Sequence, residues 1–180
     1  MFYMFFAEGF EEVEAIATLD VIRRAGIEIK SVGIGGDIIT GSHGIKIICD
    51  LTENDISVED NIKGIILPGG MPGTTNLMEN PVVNGFVDYC NEKNLLLCAI
   101  CAAPMILGRK GILCGRKAIC FPGFENELTG AEISDDFFCR DGNVITAKGM
   151  GSAVNFGLEI VAAVKDKETA DKLKSTLQCS

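Results

Sequence analysis

The stretch LLLCAICAAPMIL, residues 95 to 107, constrains this chain more than any other. Its first half holds four aliphatic residues, Ala99 and Cys98 with nothing polar, too apolar and too short for anything but a central strand covered on both faces. Its second half passes through Cys101, two alanines and Pro104 into a helical stretch. The chain therefore places a thiol where a buried strand turns into a helix.

The rest of the sequence alternates in the same way. An apolar strand (1 to 7) leads through EGF into EEVEAIATLDVIRRAGI, where Val13, Ile16, Ala17, Val21 and Ile22 recur at helical spacing and Gly26 stops the helix. EIKSVGI reads as a second strand, and GGDIITGSHGIKIICD as a glycine-punctuated hairpin, a ribbon of about 15 residues on the sheet's edge. IKGIILPGG is a buried strand ending in a Pro-Gly-Gly turn, followed by a helix from about Pro81 to Glu92. KAIC, FFC and NVITA read as strands, the last two joined near Asp141 and Gly142, and SAVNFGLEIVAAVK and KETADKLKSTL as closing helices. This alternation predicts an α/β chain: a flavodoxin-like three-layer sandwich, a mainly parallel central sheet with an edge β-hairpin, and residues 1–180 in one domain. A chain of 180 residues buries about two thirds of its unfolded surface in a single core.

Charge and cysteine usage narrow the partners. A net charge of −9, with no Lys/Arg run longer than two, lacks the clustered basic patch of a nucleic-acid binder. The opening MFYMFFA carries no positive flank and meets Glu8, Glu11 and Glu12, so it reads as a buried strand rather than a signal peptide, and no membrane association is expected. Eight cysteines, mostly inside apolar runs, read as reduced thiols and predict a cytoplasmic location.

In doubly wound sheets, ligands bind beyond the carboxyl ends of the strands. Three such ends carry unusual residues: AEGFEEVE, LPGGMPGTTN and CAAP. A cysteine at a sharp strand-to-helix turn presents its sulfur to the unpaired amides of the helix, which favour thiolate and lower the thiol pKa. Cys101 is thus a candidate nucleophile, against the ordinary alternative of a core thiol, since free cysteine is among the most buried residue types. The amides of Gly69, Gly70 and Ala102 are candidates to hold an oxyanion. Glu14, one turn into the first helix and flanked by Val13, Ala15 and Ile16, suits a partly desolvated carboxyl that donates a proton to the thiolate.

LPGG, then AICAAP about thirty residues later, with EGFEEVEA and DVIRRAGI before them and GMGSAVNFGLEIV near the end, resemble the ThiJ/PfpI superfamily. Within it the sequence is most similar to the branch of the parkinsonism-associated protein DJ-one and its bacterial relatives. The resemblance implies that Cys101 is the oxidation-sensitive nucleophile, Glu14 its protonated partner, and Gly69, Gly70 and Ala102 the oxyanion amides. It also implies a homodimer with Arg24 near the dimer contact, and neither metal nor organic cofactor. Many members place a histidine before a proline beyond the cysteine strand; CFPGFE puts Phe121 there, so a Cys-His dyad at that position is excluded. The only histidine, His43, lies in the ribbon, where the family often has an arginine reaching toward the partner's cleft. Ala102 follows the cysteine where protease-like and amidotransferase members use histidine or a Cys-His-Glu triad, so peptide hydrolysis is not expected.

Other constellations are weaker. CAIC has the spacing of a redox pair, but Cys98 lies inside the strand and alternation puts it on the face opposite Cys101. Cys98, Cys101, Cys114 and Cys120 match no paired zinc spacing. GIGG lacks the dinucleotide fingerprint and leads into the ribbon.

The expected function is a Cys101-dependent enzyme acting on a small reactive dicarbonyl such as methylglyoxal, or on its adduct with an amine or thiol, as a glutathione-independent glyoxalase or deglycase. The alternative is a redox sensor or stress chaperone switched by oxidation of Cys101. The thiazole monophosphate synthesis role attributed to the ThiJ name ranks third.

Overall fold

The computed structural model describes residues 1–58 and 61–179. In chain order its elements are β1 (Phe2–Phe6), α1 (Glu12–Arg24), β2 (Ile29–Gly33), β3 (Ile38–Thr40), β4 (Lys46–Ile48) and β5 (Leu51–Thr52). Next come β6 (Gly64–Leu67), α2 (Gly73–Glu79), α3 (Pro81–Glu92), β7 (Leu96–Ile100) and α4 (Pro104–Arg109). The chain closes with β8 (Lys117–Ala118), β9 (Glu132–Ile133), β10 (Phe138–Asp141), β11 (Val144–Ala147), α5 (Ala153–Val164) and α6 (Lys167–Thr176).

Seven strands form one sheet in the order β10-β11-β7-β6-β1-β2-β5, parallel throughout except for the β10–β11 hairpin at one edge. The all-apolar strands follow from this placement, because helices cover both faces. Tyr3, Phe5, Ile65, Leu67, Leu97 and Ala99 pack against Val83, Phe86 and Val87 of α3. The alternate residues Phe2, Met4, Phe6, Ile66, Cys98 and Ile100 pack against Ala15 and Ile22 of α1 and Phe156 and Ile160 of α5. Each buried Val, Leu, Ile, Phe or Met among them contributes roughly 1.5–3 kcal/mol. The chain steps from β1 outward to β2 and returns to the other side of β1 as β6, which opens a crevice at the carboxyl ends of β1 and β6.

The structure departs from the sequence expectations at four places. The β3–β4 ribbon forms, with Ile39 opposite Ile47, but it pairs only with itself. Its backbone is engaged by the loop after β1 instead: Gly9 N–H donates to Thr40 O at 2.8 Å and Ser42 N–H to Phe10 O at 2.8 Å. MPGTTN, to which the sequence reading assigned no element, contributes to the seven-residue helix α2, started by Thr74 N–H to Gly70 O at 2.8 Å. KAIC shrinks to the two residues of β8, paired with β9 in a separate small sheet. Cys98 lies in the same layer as Cys101 rather than opposite it, because the backbone turns at Cys101 and breaks the strand's alternation.

Candidate active site

β1, β6 and β7 are neighbours in the sheet, so the loops leaving their carboxyl ends meet. Cys101 follows β7 directly. Its N–H donates to Ala147 O of β11 at 2.9 Å and its C=O accepts from Phe121 N–H, in the loop after β8, at 2.8 Å, so both main-chain groups are held. Between these anchors the residue takes φ +65°, a left-handed conformation that costs a non-glycine residue on the order of 1–2 kcal/mol. The turn swings the half-buried side chain toward α1, where Glu14 waits.

Glu14 is 1 % exposed. Two contacts fix it: Glu11, the residue capping α1, accepts from Glu14 N–H at 2.6 Å, and Gly69 N–H donates to Glu14 Oε2 at 3.0 Å. Oε1 has no partner within hydrogen-bond distance among the described residues, while the Cys101 thiol and the Met150 amide face the carboxyl group. Burial raises the Glu14 pKa from 4.5 to about 7, the Glu11 charge adds to the rise, and the thiol and the two amides oppose it. Glu14 therefore keeps its proton up to about pH 7, well above an ordinary carboxyl.

Burial also pushes the Cys101 thiol up to about 12, with the Glu14 carboxylate adding to it and the amides of Ala102 and Gly70 pulling the other way. The lowered thiol pKa expected from a helix start is thus overturned: desolvation outweighs two amides. Facing acids titrate as a unit, so the pair loses one proton near pH 7 and a second near 12 and holds a single proton between. When that proton rests on Glu14, the sulfur is the thiolate.

The three glycine-rich amides divide their tasks. Gly70 takes φ +90°, a turn open to glycine, and its N–H faces the sulfur together with that of Ala102. Gly69 N–H is committed to Glu14, so Gly69 positions the acid instead of joining an oxyanion hole. A Cβ at Gly69 would stand 2.5 Å from Cys101 Cβ and 2.6 Å from Glu14 Oε2, so only glycine lets the three residues meet.

The remaining candidates lie outside this cluster. Arg24, at the far end of α1 and about 18 Å along the helix from Glu12, is exposed and paired with Asp20 at 2.6 Å. His43 sits in the turn of the ribbon and contacts Glu12, with Nδ1 at 3.0 Å from Oε2 and its N–H donating to Oε1 at 2.7 Å. Burial opposes ionisation of Glu12, yet the His43 ring, the His43 amide and the Ile45 amide hold it down at about 2, and Glu12 in turn raises the His43 pKa. Glu11, Glu12 and His43 form a group of potential cation ligands within 4.8 Å of one another, but the Glu12 oxygens already serve the ribbon. Phe121 stands beside Cys101 with its ring 3.2 Å from where a Cβ at Gly149 would lie. Sequence reasoning gave no role to Glu11, Glu12, Gly149 or Met150; EGFEEVEA held the first two and GMGS, between a strand and a helix, the last two.

Residues 2–163 match the DJ-1/PfpI family. The chain is 33% identical to the Parkinson disease protein 7 homolog of Danio rerio over 175 residues, covering 95% of this chain and 93% of that one. It is 32% identical over 172 residues to the Caenorhabditis elegans protein named glutathione-independent glyoxalase DJR-1.2, covering 94% and 91%. Among solved structures, a mutant of a DJ-1 superfamily protein from Salmonella typhimurium superposes with a TM-score of 0.93 at 29% identity, covering 99% and 98% of the two chains. Oxidized Toxoplasma gondii DJ-1 gives 0.95 at 26% identity, covering 99% and 98%.

Proposed function

Because this chain belongs to the DJ-1/PfpI family, we propose that it is a cysteine-dependent enzyme of the glutathione-independent glyoxalase type, converting 2-oxoaldehydes to 2-hydroxy acids. The observation that carries this is a buried, proton-bearing Glu14 beside a half-exposed Cys101 held at φ +65°. The Cys101 thiolate adds to the aldehyde carbon, and the oxyanion forms against the amides of Gly70 and Ala102 and takes up the Glu14 proton. Glu14, now ionised, removes the hydrogen of that carbon as a proton. Reprotonation at the ketone carbon gives a 2-hydroxy thioester on Cys101, which water cleaves to the acid and the free thiol. One carbon is oxidised and its neighbour reduced, so no external oxidant, reductant or cofactor is needed.

The same thiolate chemistry extends to adducts of the aldehyde with amines or thiols. The eight free thiols suit a reducing cytoplasm. Val13 and Ile16 of α1 and Ile48 of the ribbon, 46%, 40% and 78% exposed, suit burial against a second copy of the chain; a monomer at micromolar concentration in light scattering would oppose a homodimer.

The test is methylglyoxal conversion, read as lactate without glutathione, by wild type, Cys101→Ser, Glu14→Gln and the control Cys98→Ser. Loss in the first two variants alone supports the reading, and absence of turnover in wild type refutes it. A second reading, a sensor switched by Cys101 oxidation, is favoured by the half-exposed sulfur and by the similarity to an oxidized relative. It predicts stoichiometric oxidation of Cys101 by peroxide, seen by mass spectrometry, with no aldehyde turnover.

A further inference from the structure

We propose that the apolar cleft beside Cys101 is a substituent pocket, so that the preferred substrates are 2-oxoaldehydes bearing an aryl or bulky alkyl group on the ketone carbon; this rests on the glyoxalase reading above. Scattered exposed apolar residues need no explanation, but three large ones lining one cleft at the edge of the candidate site do. Phe121, Phe137 and Met150 are 48%, 69% and 55% exposed. With Lys148, Gly149 and Ser152 they line a cleft of about 400 Å³.

The cleft borders the catalytic pair through two of its lining residues, Phe121 and Gly149. Phe121 N–H bonds the Cys101 carbonyl at 2.8 Å, which ties this wall residue to the backbone of the nucleophile. Gly149 lies between that wall and the acid: a Cβ there would stand 3.2 Å from the Phe121 ring and 3.8 Å from Glu14 Oε1. Glycine at this position keeps a side chain from standing between the Phe121 ring and the acid. Lys148 Nζ lies 5.8 Å from the centre of the Phe137 ring and steadies it by a cation–π contact. Among the described residues no carboxylate lines the cleft.

These walls discriminate by chemistry. An aryl group gains apolar contact with two phenyl rings and a thioether, whereas a polyhydroxylated, sugar-derived dicarbonyl leaves its hydroxyls without partners. Ala102 and Ala103 keep the reacting end small, and the cleft takes what extends beyond it. A histidine in place of Phe121 would present a polar wall instead.

The experiment compares kcat/KM for phenylglyoxal and methylglyoxal. Wild type is expected to prefer phenylglyoxal by at least about tenfold, with the ratio falling several-fold in Phe137→Ala and Met150→Ser. Ile133→Ser, exposed and outside the cleft, is the surface control and leaves the ratio as it is. A ratio near one, or one that Phe137→Ala does not change, overturns the pocket while methylglyoxal turnover keeps the glyoxalase reading intact. If neither aldehyde is turned over, ligand-observed NMR with the two product acids still decides. Mandelate binding at least about tenfold tighter than lactate, and weakened by Phe137→Ala, supports the pocket; equal binding overturns it.

Discussion

Replacing Glu14 by glutamine should remove a specific pH dependence from the stability of the fold. In the native protein burial raises this carboxyl from 4.5 to about 7, while the unfolded chain retains the lower value. Below pH 4.5 both states hold the proton, and above about 7 neither does. Between these limits the native state binds more protons than the unfolded one, so stability falls as pH rises. The stabilisation is complete below the unfolded value and is lost as pH climbs through the folded one. A rise of this size corresponds to about 3 kcal/mol, a large part of the 5–15 kcal/mol of a typical domain, roughly. Glutamine keeps the shape and still accepts the Gly69 N–H, but it does not titrate. Urea unfolding of both proteins, followed by circular dichroism with reductant from pH 4 to 8, isolates the effect, because all other titrations cancel in the difference. The wild-type advantage over Glu14→Gln should shrink by about 3 kcal/mol across that window. A difference that stays constant with pH would show that Glu14 ionises normally in the fold, and the shared-proton chemistry would fall with it.

The pair's first ionisation near 7 also governs catalysis: kcat/KM for a 2-oxoaldehyde should rise through about pH 7 in wild type, and Glu14→Gln should lose that step. Gly69→Ala drives a methyl group between Cys101 and Glu14; it should cost about 1–3 kcal/mol in urea unfolding and lower kcat/KM by about 100-fold, whereas a near-normal rate would contradict the close approach. Glu12→Ala removes the anchor of the ribbon turn and should accelerate hydrogen exchange of the His43 and Ile45 amides, leaving β6 and β7 protected. Cys98→Ser puts a hydroxyl into a fully buried site and should destabilise by about 1–3 kcal/mol without touching the chemistry.

The layered architecture was legible in the sequence because its strands are apolar throughout, and FYMFF, GIIL and LLCAI leave no polar face to give to solvent. Cys101 and Glu14 were legible as a thiol at a strand end and a carboxylate on an apolar stretch of helix. The helix of MPGTTN was not, because its first turn is set by contacts with Gly70 and the loop after β1. Nor was the division of labour between Gly69 and Gly70: both read as turn glycines, and only the position of Glu14, 55 residues earlier, determines which N–H is taken.

Local composition thus determined which segments are buried and which residue types stand at the strand ends, since hydrophobic periodicity and turn chemistry are properties of neighbouring residues. Tertiary structure decided the protonation of the site. The charge on Glu14 and Cys101 depends on water excluded by β6, α1 and the turn at Met150, and desolvation is a property of everything that surrounds a group. The same holds for the cleft of Phe121, Phe137 and Met150, three residues spread over 30 positions that the edge hairpin and the turn before α5 bring together.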